Sequence, residues 1–429
     1  MRTGHDLDRL GQVTSTTNEP LWLSSITPTG EDLTASTAAV APVSLPPVSF
    51  TWTKTALQNL ALNQPPGSSG FDVIGRDRIS LVTTMTGGQI GVTYANPGGG
   101  CVSGTLPKPD ANQLMCYPVL FGAQTQASAP YWFNKYAVSS VTQSDVTGGA
   151  PAITTSYTYG HAAWHYDDDA ITKPSYRTWD QFRGFASVTT KSGTAPDPVT
   201  KATDFYFQGM DGDHLSDGTT ESAALTSIAG NGTTQVTDKN QWAGTLFEHL
   251  VYDGDGGPVV RDAVTTPWSS PNPTADLAQT GLPDLKAWLT GIAQTQTFTT
   301  TAADGTREAD MFYGHDSIGR VVSTSAVPDV SDPAEDTCTS TSYDAATSAI
   351  TTLPSEVLVV LRRRLRLRHP RRGRQPSRDG YRDHHLHRRP GPDDRDLPVS
   401  LHPRASGPAQ EGNCHQIGRD WLGLHLLRL

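Results

Sequence analysis

Apolar and polar side chains alternate in short runs along the first 360 residues, and this alternation predicts β-strands. In the run Ile153–Tyr159, every second side chain is β-branched or aromatic, and the side chains between them are Thr or Ser. Gly, Pro, Asn or Asp bounds each run, as in antiparallel hairpins. Further strands are predicted at Trp22–Thr27, Val48–Lys54, Ile79–Thr84, Gln89–Tyr94, Tyr136–Gln143, Phe185–Thr190, Thr203–Gln208, Leu246–Tyr252, Val259–Val264, Ala293–Thr301, Arg307–Tyr313 and Arg320–Ser325. The expected fold class is all-β, with antiparallel strands and hairpins.

Two turns near residue 310 support this reading. Asp304-Gly305 lies between two predicted strands, and both residue types tolerate the positive φ that a tight hairpin turn requires. Asp316-Ser317-Ile318-Gly319 then leads into the strand that follows. Helical periodicity is scarce, and only Pro283–Leu289, with its leucines on one side, predicts a short helix.

Composition and charge change abruptly near residue 360. Residues 361–429 contain 16 Arg, no Lys and 7 acidic residues, a net charge of +9, whereas residues 1–360 carry −19. No threonine follows Thr352, and 7 of the 13 histidines lie after residue 360. The prolines of this tail are scattered and its leucines follow no period, so we expect the basic tail to be disordered.

These changes suggest four segments. Residues 1–50 hold N-terminal strands and a linker, residues 51–145 a β segment, residues 146–355 a second β segment, and residues 356–429 the Arg/Pro-rich tail. No run approaches the roughly 18 apolar residues of a membrane-spanning helix. No apolar run follows Met1, so a signal peptide is not expected in this sequence.

The cysteines exclude the common metal and redox motifs. The chain has four, Cys101, Cys116, Cys338 and Cys414, and none belongs to a C-x-x-C pair. Cys101 and Cys116 bracket a segment rich in Gly and Pro, which suits a loop-closing disulfide in an exported protein. The alternative is two small buried thiols.

One turn element recurs along the chain. Residues 313–320 have the form Y-x-x-D-x-x-G-R, with Tyr313, Asp316, Gly319 and Arg320 at its defining positions. In such an element we expect the aromatic ring to pack on the sheet, Asp to cap the turn, Gly to adopt the left-handed conformation and Arg to pair with Asp. Related fragments are Phe71-Asp72-Val73-Ile74-Gly75-Arg76, Trp179-Asp180-Gln181-Phe182-Arg183-Gly184 with its last pair inverted, and the weaker Tyr252-Asp253 and Tyr343-Asp344.

This element resembles the YD repeat of the Rhs family, and other phrases extend the resemblance over about residues 20–360. The set is similar to the large Rhs-repeat proteins of actinomycetes. The phrases are Trp22-Leu23-Ser24-Ser25-Ile26, Leu45-Pro46-Pro47-Val48-Ser49-Phe50, Thr86-Gly87-Gly88-Gln89-Ile90-Gly91-Val92-Thr93-Tyr94, Met115-Cys116-Tyr117-Pro118-Val119, Trp132-Phe133-Asn134-Lys135-Tyr136 and Thr178-Trp179-Asp180-Gln181-Phe182-Arg183-Gly184-Phe185.

The resemblance implies a structural role. Family members are long exported proteins whose repeats wind into a hollow β shell, which often encloses a C-terminal toxin. The chain would then be a wall segment, secreted or at the cell surface, with the rest of the shell and its enclosed effector as partners. The resemblance implies no cofactor, no catalytic activity and no nucleic acid for this segment.

Departures from the family pattern indicate a degenerate fragment. The aspartates of successive elements lie 63 to 108 residues apart, so the repeats do not form a tight tandem array. The Asp-Pro-x-Gly element that closes the core of toxin-bearing members is missing, since Asp197-Pro198 and Asp332-Pro333 lack the glycine.

Two clusters contain metal-ligand residue types, each with a simpler interpretation. His161, His165 and the carboxylates of residues 167–169 could bind zinc, but histidines four apart converge only on a helix, and this segment is predicted extended. Asp211–Gly218 resembles a calcium loop, but Leu215 stands at its fifth position and no Glu at its twelfth. Exposed acidic turns are the favoured interpretation of both clusters, and of the pair Asp253 and Asp255.

Catalytic motifs are missing, and a binding role is the main alternative to a shell. The sequence has no G-x-S-x-G elbow, P-loop or G-x-G-x-x-G motif, so we do not expect an enzyme; a glycosidase remains a weaker hypothesis. Exposed tryptophans would instead favour a cell-surface module that binds polysaccharide. The tryptophans considered are Trp22, Trp52, Trp132, Trp164, Trp179, Trp242, Trp268 and Trp288.

The tail has two interpretations. The tail contains Arg but no Lys, and its Arg residues are mixed with His, Pro, Leu and Gly; this composition is typical of a GC-rich gene translated out of frame. The sequence that resembles the family also stops near Val360. The rival is a basic arm that binds nucleic acid. We favour a frameshift near residue 360.

The frameshift hypothesis predicts the neighbouring DNA sequence. Restoring the reading frame near codon 360 should regenerate repeat text rich in Thr, Tyr and Gly, which sequencing of the locus in all three frames checks. If no frame gives such text, and the tail binds nucleic acid with a steep salt dependence, the frameshift hypothesis is wrong.

Overall fold

The computed structural model describes residues 22–30, 43–53, 76–99, 101, 106–120, 130–228, 234–302, 305–344, 352–361 and 427–428. Within these ranges the chain forms β-strands and short 3-10 turns and no α-helix, so the predicted all-β class is confirmed. The 3-10 turns are Pro109–Ala111, Pro174–Tyr176, Asn240–Trp242 and Pro333–Glu335.

The strands, in chain order, are β1 (Ser25–Ile26), β2 (Thr29–Gly30), β3 (Val43–Ser44), β4 (Val48–Thr53), β5 (Arg78–Thr83), β6 (Gln89–Ala95), β7 (Cys116–Val119), β8 (Tyr131–Asn134), β9 (Ala137–Ser144), β10 (Ile153–Tyr159), β11 (Ala162–Tyr166), β12 (Trp179–Phe185), β13 (Ser187–Ser192), β14 (Thr200–Tyr206), β15 (Ala224–Thr226), β16 (Gln235–Thr237), β17 (Leu246–Tyr252), β18 (Val259–Ser269), β19 (Ala275–Leu277), β20 (Leu285–Ala287), β21 (Thr290–Thr301), β22 (Gly305–His315), β23 (Val321–Val327), β24 (Thr337–Tyr343), β25 (Pro354–Leu361) and β26 (Leu427–Arg428).

One antiparallel sheet dominates the fold. Its 16 strands follow the order β1-β4-β5-β6-β9-β10-β13-β14-β17-β18-β21-β22-β23-β24-β25-β26, so each strand pairs with the sheet strands nearest to it in the chain. Every strand predicted from the sequence lies in this sheet. The sheet passes without interruption across residue 145, where we placed a segment boundary, because β9 pairs with β10.

Five two-stranded hairpins interrupt this meander in the described residues, and four of them lie at one end of the sheet. In an antiparallel meander, successive connections alternate between the two ends of the strands. The pairs β7–β8, β11–β12, β15–β16 and β19–β20 fall in alternate connections, so they share one end, which we call the upper rim. The turn between β22 and β23 also lies there. At the opposite end, the lower rim, short turns join the strands, for example at residues 84–88 and 253–258, and the fifth hairpin, β2–β3, lies in the connection from β1 to β4.

Hydroxyl ladders link neighbouring strands of the main sheet. Thr189 and Thr203 face each other on β13 and β14, and their Oγ1 atoms lie 2.9 Å apart. Thr142 and Thr154 make a similar contact of 3.1 Å between β9 and β10. Most side chains of these strands are half-buried on both faces. The sheet therefore depends on its backbone ladder and on cross-strand pairs more than on a thick apolar core.

The larger apolar core lies where the upper rim folds back on the sheet. Phe207, Trp242, Phe247 and Val264 form a buried cluster, with Phe207 only 5.4 Å from Phe247 between ring centroids in an edge-on arrangement. Leu225 from β15–β16 packs against it. The inserted hairpins thus supply the second layer that the open sheet otherwise lacks.

The predicted helix at Pro283–Leu289 is wrong. Leu285–Ala287 forms β20, which pairs with β19 through Leu277 opposite Leu285 and Asp276 opposite Lys286. A helix of seven residues is only marginally stable in isolation, because nucleation costs more than so few hydrogen bonds return. A hairpin satisfies the same backbone groups and also brings together the two leucines and the opposite charges.

Predictions about the tail fall mostly outside the described residues. Residues 362–426 are not described. Leu427–Arg428 pairs with Leu358 and Val359 of β25, so the end of the chain supplies two residues to the sheet.

The core cluster should control global stability. Replacing Phe247, which is 1% exposed, by alanine should lower the free energy of unfolding by about 3–5 kcal/mol, through lost burial and a residual cavity. Urea denaturation followed by tryptophan fluorescence measures this change. Ile171→Ala, at a position 92% exposed, is the control and should change stability by less than about 0.5 kcal/mol. Equal effects of the two substitutions would show that the cluster is not the stabilising core.

Candidate functional site at the upper rim

A histidine–carboxyl pair is enclosed between strand β11 and the connection that follows β14. The Nε2 atom of His165 lies 3.3 Å from Oδ1 of Asp213, and the two residues are 7% and 3% exposed. Asp213 accepts hydrogen bonds from the backbone N–H groups of Tyr166, at 3.2 Å, and His214, at 2.8 Å. The Nδ1 atom of His165 lies 2.7 Å from the carbonyl oxygen of Tyr166.

Burial shifts the titration of both members of this pair. It raises the pKa of Asp213 to about 7, against the two backbone N–H donors, which lower it. Burial also lowers the pKa of His165, and the nearby Arg183 guanidinium lowers it further. A carboxyl pKa of about 7 at Asp213 suits proton transfer near neutral pH, but the polar atoms of both side chains already have partners within the protein. The pair ties β11 to the loop that contains Asp213.

Strand β12 brings a second set of charges to the rim. Burial raises the pKa of Asp180 to about 7, and the neighbouring Asp167 carboxylate raises it as well. Arg183 donates from Nη1 to Oδ1 of Asn240 at 2.6 Å. Its guanidinium also lies in the field of Asp213 and Asp238. Arg183 is therefore a cation shared by several acidic groups of the rim.

The fragment Trp179–Gly184 does not form a turn like that of residues 313–320. It lies within β12, where Trp179 pairs with Tyr166 and Phe182 with Trp164. Gly184 has φ of +83°, next to a register shift in the hairpin. The inverted order of Arg183 and Gly184 accompanies this change, because the glycine serves a bulge in a strand.

A cavity of about 650 Å³ opens beside these groups. Its lining includes Asp110, Tyr206, Glu221 and Asp238. Burial raises the pKa of Glu221, and the carboxylates of Asp238 and Asp110 raise it further. Asp238 accepts the backbone N–H of Gly209 at 2.7 Å, and Asp110 accepts that of Ser216 at 3.0 Å. These two carboxylates therefore also organise the loop between β14 and β17.

The side chains of the two clusters that we considered for metal binding have separate partners in the structure. His161 is exposed, whereas His165 is buried against Asp213. In the calcium-like loop, Asp211 accepts from Ala223 N and Asp217 from Thr219 N. Over the described ranges, no three His, Cys, Asp or Glu side chains are placed to bind one metal ion. Asp255 of the remaining pair forms an ion pair with Lys191 at 2.8 Å.

Cys101 and Cys116 form a disulfide with a Cα–Cα distance of 5.7 Å. Both residues are buried, at 5% and 0% exposure, against Trp132 and Leu114. The bridge closes the connection between β6 and β7, so it fastens the first of the four rim hairpins.

The turn at residues 315–321 is organised by one carboxylate. Oδ1 of Asp316 accepts the backbone N–H groups of Ile318, at 3.1 Å, and Arg320, at 2.9 Å. Oδ2 accepts from Nε of Arg320 at 2.7 Å. Gly319 has φ of +83°, and an added Cβ would contact Leu289 at 3.5 Å. These bonds lower the pKa of Asp316 against the effect of its burial.

Contacts with an aromatic ring link this turn to the neighbouring strands of the sheet. The Arg320 guanidinium lies 4.5 Å from the ring centroid of Tyr343. The hydroxyl of Tyr343 donates to the carbonyl oxygen of Val321 at 2.9 Å. Tyr313 lies opposite Thr324 on the paired strands β22 and β23. Phe71, Asp72 and Gly75 of the second fragment lie outside the described residues, and Arg76 contributes its carbonyl oxygen to a hydrogen bond from Arg78 at 2.8 Å.

None of the tryptophans considered for sugar stacking is fully exposed. Trp132, Trp164 and Trp242 are buried, and the other five are half-buried. Two of the half-buried ones pack on each other, Trp22 and Trp52, with ring centroids 4.6 Å apart. These rings serve packing at the rim and along the sheet.

Comparison with known proteins gives likenesses in structure but none in sequence. No protein-family model and no curated protein matches the sequence. A chain of the Photorhabdus luminescens Tc holotoxin pore is similar in structure, with 12% sequence identity and a TM-score of 0.40. The likeness covers 66% of this chain and 14% of that one. In the described part of the chain, no helix is long and apolar enough to cross a membrane.

The Asp316 turn should contribute measurably to stability. Asp316→Ala removes three acceptor contacts and should lower the free energy of unfolding by about 1–3 kcal/mol at pH 7. Because the pKa of Asp316 is lowered in the folded protein, its stabilisation is present above the unfolded pKa and is lost as the pH falls below it. The difference between variant and parent should therefore shrink below about pH 4. Urea denaturation at pH 7 and pH 3.5 measures it, with exposed Asp284→Ala as the control. A loss no larger than that of the control would contradict this role.

Proposed function

We propose that the chain is a structural wall segment of a larger exported Rhs/YD-repeat shell, of the kind that encloses or displays a C-terminal effector. The observation that carries the proposal is the strand order of the main sheet. Its strands stay in chain order as one long antiparallel meander, and within the described residues it has two edges where further strands can add. A wall that continues into preceding and following segments needs this construction.

The YD-like element supports the proposal at the level of local structure. Its Asp316 carboxylate holds a four-residue turn at the upper rim, and Arg320 carries the contact on to Tyr343 in the next strand but one. A repeated element of this type gives every hairpin of a wall the same turn geometry. It stabilises a sheet without requiring a thick core.

We also propose that this segment has no catalytic activity of its own. The rim carboxylates with raised pKa values are the obvious candidates for chemistry. Asp213 and Asp238 accept backbone N–H groups, and the imidazole of His165 is enclosed with Asp213. These side chains therefore have structural hydrogen-bonding roles, and those roles account for their burial.

The disulfide supports export of the assembled protein. A bridge such as Cys101–Cys116 forms and persists in oxidising surroundings, outside the cytosol. In the proposed assembly, the partners are the remaining shell segments at the sheet edges and the effector inside.

The edges should make the isolated chain self-associate. The apolar edge strand β25 pairs with only two residues of β26, so most of it lacks a described neighbour on that side. Light scattering coupled to gel filtration should show multimers that grow with concentration. The double variant Val357→Lys/Val359→Lys should shift them to smaller species, because charge on an edge strand opposes pairing.

The control for this experiment is Val330→Lys, at a position 43% exposed between β23 and β24. It adds charge without touching the edge strand and should leave the multimers unchanged. A monodisperse parent monomer with one cooperative thermal transition would mean that the segment is a self-sufficient domain, and would contradict the proposal.

A further inference from the structure

The hairpin β15–β16 lies on one face of the main sheet and spans three of its strands. Both of its anchors lie at the end where β15 leads toward β16. On one arm, the backbone N–H of Ile228 donates to the two carboxylate oxygens of Glu248 on β17, at 2.9 and 3.1 Å. On the other arm, the Thr234 hydroxyl donates to Oε1 of Gln296 on β21 at 2.9 Å. We call β15, β16, Ser227, Ile228 and Thr234 the flap.

The flap covers two acidic side chains that lie next to each other. Glu248 is opposite Val264 and Asp262 is opposite Leu250 on the paired strands β17 and β18, so both acids are on the same face. Glu248 is 0% and Asp262 is 1% exposed. Within the described residues, no N–H or hydroxyl group donates to either oxygen of Asp262. Its hydrogen-bonding neighbour is the Glu248 carboxyl group.

Two carboxyl groups can form a hydrogen bond only while one of them holds a proton. With that proton present, Asp262 donates to Glu248, and Glu248 remains an acceptor for Ile228. Without it, two negative charges face each other in a buried position with no donor for Asp262. Relief then requires water, and water can enter only if the flap moves away.

The surrounding elements offer little compensating charge. The flap and strand β21 contain no titratable side chain. On β14, Lys201 shares this face but its ammonium lies 4.0 Å from the ring centroid of Tyr252. On β22, Glu308 and Asp310 add further acidity to the same face.

The other face of the neighbouring strands carries the remaining charges. His249 pairs with Asp204 there, through Nδ1 and Oδ1 at 2.6 Å, and it acts on Asp262 only through the sheet. Arg261 alternates to that face as well and is exposed. No cation therefore neutralises the buried pair from the flap side in the described structure.

The remaining contacts of the flap are few. Leu225 and Val236 are only partly buried and pack against the edge of the apolar cluster of Phe207, Trp242, Phe247 and Val264. The other flap side chains are mostly exposed. Because this apolar contact is small, the Ile228–Glu248 and Thr234–Gln296 hydrogen bonds are important for holding the flap on the sheet.

We infer that the flap is a pH-sensitive strap, held on the sheet at acidic pH by the proton that Glu248 and Asp262 share and loosened as that proton is lost. Opening would uncover the sheet face around Val264 and Phe298. This inference concerns the described chain alone and does not depend on the shell proposal.

The titration of Asp262 fixes the direction and the pH window. Burial, followed by the charge of Glu248, raises the pKa of Asp262 to about 7. A carboxyl group whose pKa is raised in the closed state stabilises that state fully below its unfolded pKa. This stabilisation is lost progressively as the pH rises to the raised value. The flap should therefore loosen between about pH 4 and pH 7 and change little above that.

Hydrogen–deuterium exchange on the full chain tests the inference. The amide group of Ile228 donates to Glu248 on the main sheet only while the flap is closed, whereas that of Ser227 donates to Thr234 within the flap itself. After correction for intrinsic exchange, the protection of the Ile228 amide should fall by up to about tenfold per pH unit between pH 5 and pH 7. In Asp262→Asn, which keeps the shape but cannot titrate, the protection should no longer depend on pH.

Two further variants complete the test. Glu248→Gln weakens the anchor directly and should lower protection of the flap at pH 5, while main-sheet amides such as those of β10 and β13 keep theirs. Asp284→Asn removes one exposed acidic charge far along the chain and should retain the full pH dependence. Protection that is the same at pH 5 and pH 7 in the parent, or an unchanged pH dependence in Asp262→Asn, would overturn the inference.

Discussion

The backbone ladder of the long meander is the constraint on which the rest of the structure depends. Every strand must find its hydrogen-bonding partners in the strands before and after it, because most side chains of the sheet are only half-buried. Such a sheet propagates readily along the chain but cannot end cleanly. Its stability comes from the paired backbone groups of the ladder, and the self-association that we expect would come from the unpaired groups at its edges.

The alternation of connections gives the sheet two unlike ends. Hairpins inserted at the upper rim bury Phe207, Trp242 and Phe247, whereas the lower rim has short turns and the two-residue strands of the β2–β3 hairpin. Buried polar residues gather at the same end, since the inserted segments bring Asp213 and Asp238 under cover. A meander can accept insertions at either end, and concentrating them at one end builds a local second layer without disturbing the ladder.

The sequence predicted what is local and missed what depends on distant partners. Strands such as Ile153–Tyr159 have a two-residue period that marks them directly, and the Asp316 turn is specified by residues within five positions of one another. The strands of the four upper-rim hairpins were not predicted, because they are only three to seven residues long and do not show a clear two-residue period: β11 is buried on both faces, and β19 is exposed throughout. The contact between His165 and Asp213 joins segments far apart in the chain, so no spacing rule reveals it. The helix predicted at residues 283–289 was based on leucines at helical spacing. In the structure, pairing with β19 places residues 285–287 in a strand instead.

Titration near neutral pH follows from the same architecture. An open sheet leaves its carboxylates hydrated, as with Asp255, which is exposed and paired with Lys191. Burial raises a carboxyl pKa to about 7 at Asp180, Asp213 and Asp262, and these lie at or beneath the inserted segments. A change of pH also reaches the sheet itself, because burial and the charge of Glu308 raise the pKa of Asp310 on β22 to about 6. Because a hairpin has few anchors while the ladder has many, the inserted segments can loosen locally while the sheet remains intact.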